Sequence, residues 1–291
     1  ERELALAGKL LKKKVSSPLV AGYRPELDGT PELDERQASY YASLMGVLRW
    51  CIELGRIDIM VEVGLLARFQ ANPREGHLEQ LFHLFAYLKK YNRSALVFDP
   101  MEPFLDESVF AECEWKEYYP GAAEAIPPNM PEPRGKAVVT TCFVDADHAG
   151  CRLTRRSHSG VLIFVNRAPI IWYSKRQATV ESSTFGSESV AMRVAIDLIE
   201  ALCYKLRMMG VPIDGATKVY CDNESVVKST TRPESTLKKK HNAINYHRAR
   251  EAQAAGHIRV AWIEGKDNLA DVLTKVLVGE RRRYLLSRIL W

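Results

Sequence analysis

The spacing of apolar residues along this 291-residue chain changes about a third of the way in. Over the first hundred residues they recur at helical spacing, in "DERQASYYASLMGVLRWCIEL" and again in "IDIMVEVGLLARFQA". "HLEQLFHLFAYLKKY" repeats Leu78, Leu81, Leu84 and Leu88 on one stripe. Three helices are predicted there, with Trp50, Phe69 and Phe85 filling the core between them. A short strand, "SALVFDP", is predicted to follow. Residues 100–136 lose the period and gain acid and proline ("EPFLDESVF", "AIPPNMPEPRG"), which reads as an inter-domain tether, partly ordered at best.

Beyond the tether, strand and helix patterns alternate. "AVVTTCFVDAD" predicts a first strand, and "SGVLIFVN" and "PIIWYSK" two more joined by a hairpin-like turn at "RA". A long helix is predicted over 183–209, ending before Gly210. "TKVYCDN" is a fourth strand, followed by a short helix from Glu224. "KKKHNAINYHRAREAQAAG" is a helix closed by Gly256, "HIRVAWIEG" a fifth strand, and "NLADVLTK" the start of a final helix. The expected fold class is α/β: a mixed five-stranded sheet flanked by helices, after a small helical module. The expected division is 1–98 helical module, 99–136 tether, 137–278 sheet domain and 279–291 helical tail.

Composition narrows the class. Hydrophobic content of 46% and charged content of 26% are those of a globular protein, and no apolar run reaches membrane-spanning length. "ERELALAGKLLKKK" lacks a signal-peptide core, and starting at Glu1 suggests a piece of something longer. The six Cys form no C-x-x-C pair, so free thiols inside the cell, in cytoplasm or nucleus, are expected. Residues 1–133 hold 21 acidic and 15 basic side chains, a balance of −6; residues 134–291 hold 15 and 26, a balance of +11. A basic C-terminal half suggests a polyanionic partner such as nucleic acid, with a solvated basic face as the alternative.

Chemistry enters at "CFVDADHAG", where two carboxylates sit at the end of a strand that reads as buried. Asp is a poor strand former and is rarely buried unpaired, although Asp before Gly is also ordinary turn chemistry. Three other acids occupy comparable places: Glu188 near the start of the long helix, Asp222 at the end of the fourth strand, and Asp271 in "NLADVLTK". If the first and fourth strands are neighbours, Asp145 and Asp222 emerge side by side. Four clustered carboxylates repel one another unless cations sit among them. Hard oxygen ligands suit Mg²⁺, or Mn²⁺ as a substitute, and two such ions about 4 Å apart can clamp a phosphodiester during in-line displacement.

These stretches also carry a resemblance. "VDADHAG", "RRSHSGVLIFVNRAPIIWYSKRQATVESST", "SESVAMR", "YCDNESVV", "KKKHNAINYHRARE" and "NLADVLTK" resemble the ribonuclease H domain that ends the reverse transcriptases of Ty1/copia-type retrotransposons. Upstream, "YYASLMGVLRW", "GRIDI" and "LLARFQANPREGHLEQLFHLFAYLKKY" resemble the thumb and connection of the same polyprotein, without its polymerase core. The resemblance implies a ribonuclease H cutting the RNA strand of RNA–DNA hybrids with two Mg²⁺ ions, leaving 5′-phosphates and synthesising no DNA by itself. It implies that Asp145 bridges both metals, Glu188 and Asp222 complete one, and Asp271 completes the other. Asp147 is a neighbour of the site. Departures are His148 for a usual Trp, Ser189 for Tyr or Phe, Gly186 for the first Glu of S-T-E-A-E-Y, and no His in the loop "EGKDN".

Candidate nucleic-acid contacts are Arg155 and Arg156, with Arg152, in the turn before "SHSG", and Lys238, Lys239 and Lys240 at a helix start. Asn223 and Ser225 could reach a minor groove or a 2′-hydroxyl, or cap a helix. His241 and His247 read as ordinary helix residues. Partners expected are the hybrid and the remainder of a polyprotein or larger assembly. A second reading is a retroelement-derived scaffold or nucleic-acid-binding subunit without required catalysis. A third, an integrase-type nuclease, fits the order of acids less well.

Overall fold

A computed structural model describes residues 15–238 and 240–290; the opening "ERELALAGKLLKKK" and Lys239 lie outside them. The chain packs as two compact units. One runs to Leu96 and resumes at Lys275, and the other is Val97–Thr274.

The first unit is helical. Helix α1 (Glu35–Glu53) starts at Asp34, whose carboxylate accepts from the Gln37 amide at 2.8 Å while the Gln37 side chain returns a bond to the Asp34 N–H. It buries Tyr41, Leu44, Met45, Leu48 and Ile52, a stripe at helical spacing. Helix α2 (Met60–Leu66) and helix α3 (Glu75–Lys90) complete the core, α3 with Leu78, Leu81 and Leu84. Trp50 does not join it. Buried Leu48 and Ile52 lie two residues to either side, which turns Trp50 to the far face of α1, where it is 65% exposed. Phe69 and Phe85 are half-buried, and Phe69 packs its ring on His77 at 4.4 Å between centroids. The strand expected at "SALVFDP" is reduced to one bridge, Leu96 to Leu290.

That bridge brings in the end of the chain. The last helix, Gly279–Leu286, and the residues after it bury Arg282, Leu285, Ile289 and Leu290 in this unit. The Arg282 guanidinium is bonded to Glu62 at 3.2 Å and to the Asp58 carbonyl, and lies over the Tyr87 ring. Asp58 in turn accepts two bonds from Arg56, at 2.9 and 2.8 Å, and one from the Tyr87 hydroxyl at 2.8 Å.

The second unit is built on a five-stranded mixed sheet, as expected. Strands β1 (Thr140–Asp147), β2 (His158–Val165) and β3 (Ala168–Arg176) form an antiparallel meander. Asn166, at φ 54°, turns the second hairpin together with Arg167, one residue earlier than the sequence suggested. Strand β4 (Thr217–Cys221) pairs parallel to β1, and β5 (Ile258–Trp262) parallel to β4, giving the order β3-β2-β1-β4-β5. Helix α4 (Thr184–Met208) lays Ala191, Met192, Ala195, Ile196 and Ile199 on one face of the sheet, against Cys142, Val144, Val161 and Val219. Helices α5 (Glu224–Thr231) and α6 (Ala243–Ala254) extend that layer.

The stretch read as a tether belongs to this unit and is a strap along it. Phe110 packs on Tyr220, whose ring stacks on Phe143 at 5.1 Å. Trp115 is buried, and the Arg250 guanidinium lies between its ring and that of Tyr246, at 5.0 and 4.8 Å. The strap's acids are used locally: Glu107 pairs with Lys218, Glu124 with Arg207 and Glu102 with Lys136. An acid- and proline-rich average hid two aromatic anchors. They supply the buried apolar area that orders the segment.

Candidate metal centre

Parallel pairing of β1 and β4 sets Val144 opposite Cys221, so the next residue of each strand, Asp145 and Asp222, leaves the sheet at the same edge. Side chains alternate along β1. Val144 and Ala146 face α4, which leaves Asp145 on the other face. There it meets a 3₁₀ turn, Leu269–Leu273, that carries Asp271. Sequence reasoning expected a helix at this point. The Asn268 side chain intervenes: its oxygen accepts from the Ala270 N–H at 3.1 Å, and its Nδ2 donates to the Val144 carbonyl at 2.9 Å. The turn is thereby tied to β1, and the α-helix begins only at Gly279.

Close approach of this turn needs Gly160, which pairs across β2 with Asp145. A methyl group at 160 would stand 2.6 Å from the Thr274 side chain and 3.0 Å from the Ala270 carbonyl oxygen. Thr274 donates its hydroxyl to Asp145 Oδ2, fixing the rotation of that carboxylate. From the opposite face Glu188, in the second turn of α4, accepts the Ala146 N–H on Oε1 at 3.1 Å.

The four acids come together from four elements. Oxygen atoms of Asp145, Asp222 and Asp271 lie within 4.8 Å of one another, as do ligand atoms of Glu188, Cys221 and Asp222. Asp145 and Asp271 are 1% exposed, Glu188 is 6% exposed, and Asp222 is half-buried. Burial first, and then the charges of Glu188, Asp222 and Asp145, push the Cys221 thiol well above its ordinary range. Three hard carboxylates at this separation fit a divalent cation such as Mg²⁺ or Mn²⁺.

The other candidates are dispersed. Asp147 folds its carboxylate back over the Gly150 backbone, as a turn residue does. Arg152 and Arg155 are exposed and Arg156 half-buried in the loop between β1 and β2, where the Arg155 N–H donates to the Cys151 carbonyl. Lys238 and Lys240 are exposed before α6. Asn223 caps α5, accepting from the Ser225 and Val226 amides at 3.1 and 3.3 Å, and Ser225 is exposed beside it. His247 shares a hydrogen bond with the Tyr119 hydroxyl at 2.7 Å, and His241 stands 3.8 Å from Glu181. His148 lies 3.3 Å from the Ser187 hydroxyl. The place of a side chain at Gly186 is taken by Glu181, whose carboxylate oxygen is 2.6 Å from where a Cβ would sit. Asn268, Thr274 and Gly160 were not singled out from sequence. All three lie in the stretches that carried the resemblance, but as neutral residues they gave no charge signal.

The chain aligns over 98% of its length, at 25% identity, with the retrovirus-related Pol polyprotein from transposon RE1 of Arabidopsis thaliana. It aligns over 91%, at 26% identity, with that from transposon TNT 1-94 of Nicotiana tabacum. Its homologues are copia-type retrovirus-related Pol polyproteins. The chain spans 17% and 18% of the length of these two curated relatives. No family model matches it. Similar solved structures include the N-terminal RNase H domain of a Mycobacterium tuberculosis protein, at 14% identity and a TM-score of 0.37, covering 47% of this chain and 91% of that one. LC11-RNase H1 in complex with RNA/DNA hybrid also matches, at 16% identity and a TM-score of 0.37, over 46% of this chain and 93% of that one. The strand order β3-β2-β1-β4-β5, with helices packed on the sheet, is the mixed five-stranded α/β arrangement expected from the sequence.

Proposed function

We propose that the sheet unit is a divalent-metal-dependent nuclease of the ribonuclease H type, acting inside the cell on the RNA strand of RNA–DNA hybrids. The observation that carries this reading is the convergence of Asp145, Asp222 and Asp271 oxygens within 4.8 Å, with Glu188 adjoining Asp222. Homology to copia-type Pol polyproteins supports it. Asp145, Glu188, Asp222 and Asp271 would hold one or two Mg²⁺ ions, with Mn²⁺ as a substitute. Bound there, such ions supply an activated water and neutralise charge on the phosphate.

The remaining work falls to the chain itself. Thr274 holds one oxygen of Asp145 and the Ala146 amide holds one of Glu188, so neither carboxylate has to reorganise when a ligand arrives. Burial of Asp145 and Asp271 excludes bulk water and strengthens their field. Arg155, Arg156, Lys238, Lys239 and Lys240 are assigned to the phosphates of the hybrid, and Asn223 and Ser225 to its minor groove. Among the described residues no helix is long and apolar enough to cross a membrane.

Incubating the full chain with a labelled RNA–DNA hybrid, with and without Mg²⁺, tests the proposal. Mg²⁺-dependent cutting of the RNA strand, lost in Asp145→Asn, is the expected result. Hybrid binding without cutting at any Mg²⁺ or Mn²⁺ concentration would instead favour a scaffold or nucleic-acid-binding role in a larger assembly.

A further inference from the structure

Gln177 follows the last residue of β3 and is 5% exposed. Its amide Nε2 donates to the Ser187 carbonyl at 2.8 Å and to the Ser159 hydroxyl at 2.9 Å, and its backbone N–H donates to the Ser157 carbonyl at 2.8 Å. A carbonyl can only accept, so the bond to Ser187 fixes which end of the Gln177 amide points there. Ser187 immediately precedes Glu188. One buried side chain therefore ties β2, the end of β3 and the opening turns of α4 together, at the residue before a carboxylate of the cluster.

We propose that Gln177 is a positioning residue for the metal centre. Glu188 is placed by its own bond to the Ala146 amide on β1 and by the height and rotation of the helix that carries it. The Ala146 bond fixes Glu188 Oε1, and the height and rotation of α4 set whether the carboxylate stays within reach of Asp222. Gln177 holds that helix from the strand side, and its buried bond to a helix carbonyl is not weakened by competing water. Ser159, the other acceptor, stands on β2 and makes no such link to α4. This separates the positioning bond from the bracing bond. The inference rests on the metal-dependent reading above, but it concerns the placement of Glu188 and can be tested without turnover.

Mn²⁺ binding to the full chain, followed by electron paramagnetic resonance of the free ion, is the measurement, with thermal unfolding recorded alongside. Gln177→Met keeps length and removes both bonds; we expect Mn²⁺ affinity at the cluster to fall about tenfold, as it does when a group orienting a metal ligand is removed. Ser159→Ala removes only the bracing bond, and its Mn²⁺ affinity should match the parent's. With hybrid present, Gln177→Met should lose kcat while KM stays within about twofold, the split expected when transition-state interactions alone are lost. If Gln177→Met fails to fold, Gln177→Glu, of the same shape, sets an acceptor against the Ser187 carbonyl and should weaken Mn²⁺ binding likewise. Unchanged Mn²⁺ affinity in a folded Gln177 variant, or an equal loss in Ser159→Ala, would overturn the inference and leave the nuclease reading intact. Absence of Mn²⁺ binding by the parent chain would overturn both.

Discussion

In the helical unit the buried carboxylates of Asp58 and Glu62 meet Arg56, Arg282 and the Tyr87 hydroxyl, whereas at the ends of β1 and β4 acids are gathered against one another. The first arrangement is compensated: each negative charge has a guanidinium on it, and the result is a staple between Arg282 near the end of the chain and α2 with the turn before it. In the second, the Thr274 hydroxyl donates to Asp145 and the Ala146 amide to Glu188, and oxygens of three carboxylates lie within 4.8 Å of one another. The contrast is between buried acids matched to guanidinium groups and acids brought within reach of one another, the arrangement on which the proposed metal site rests. Burial alone does not tell the two apart; the neighbours do.

Asp145→Asn should sharpen this contrast most. It removes charge from the cluster and should cut the rate on a hybrid by on the order of 10³-fold or more, by analogy with loss of a preorganised electrostatic group. Its melting temperature should stay level or rise, because repulsion is relieved while the shape is kept. A melting temperature lowered by many degrees would show that the cluster is a structural element after all.

Arg282→Met should do the reverse. Removing one partner of a buried pair costs about 3 kcal/mol, so the helical unit should unfold at lower denaturant while metal binding at the sheet unit is unchanged. Unfolding followed by Trp fluorescence, with Mn²⁺ binding measured on the same sample, checks both halves.

Gly160→Ala should fall between the two classes. The added methyl meets the Thr274 side chain and the Ala270 backbone, an overpacking of about 1–3 kcal/mol. It should also push away the turn bearing Asp271, so stability and cleavage decline together. Cleavage at the parental rate would mean that the turn can yield without moving Asp271.

The smallest effect is a pH dependence of the helical unit. Burial pushes the Glu62 carboxyl from its ordinary 4.5 up to about 7, although the Arg282 guanidinium pulls it down. A group whose folded pKa is raised binds a proton in the folded state that the unfolded chain has already released. Its contribution is full below about 4.5, is lost as pH rises through about 7, and is flat above that. Glu62→Gln should remove this slope, measured as the urea midpoint between pH 5 and 8. An unchanged slope in that variant would assign the dependence to another group.

Much of the sheet unit was legible because period-2 and period-3.6 patterns there are long and their ends carry Asp, Gly or Asn. The carboxylate cluster followed from strand order, since parallel β1 and β4 end together at Asp145 and Asp222. Three side chains that escaped share one physical cause. Gln177, Asn268 and Thr274 are neutral donors whose partners are 10, 124 and 129 residues away, and a neutral side chain announces nothing until its partner is in place. The strap escaped because Phe110 and Trp115 are isolated among acids and prolines, with no period to read. Trp50 misled for the opposite reason: a large aromatic was assigned to a core that the i, i+3, i+4 stripe of α1 already filled without it.

The chain leaves the helical unit at Leu96 and re-enters it only at Lys275. During synthesis α1, α2 and α3 therefore emerge long before Arg282 and Leu290, which complete their packing. The helical unit would have to wait through the making of the entire sheet domain before it could close. The ordinary sequence, in which the N-terminal part folds first, is reversed: the middle of the chain can finish before its beginning does. Once Thr274 has left the ribosome, all four acids of the candidate site are available while the helical unit still lacks its last helix.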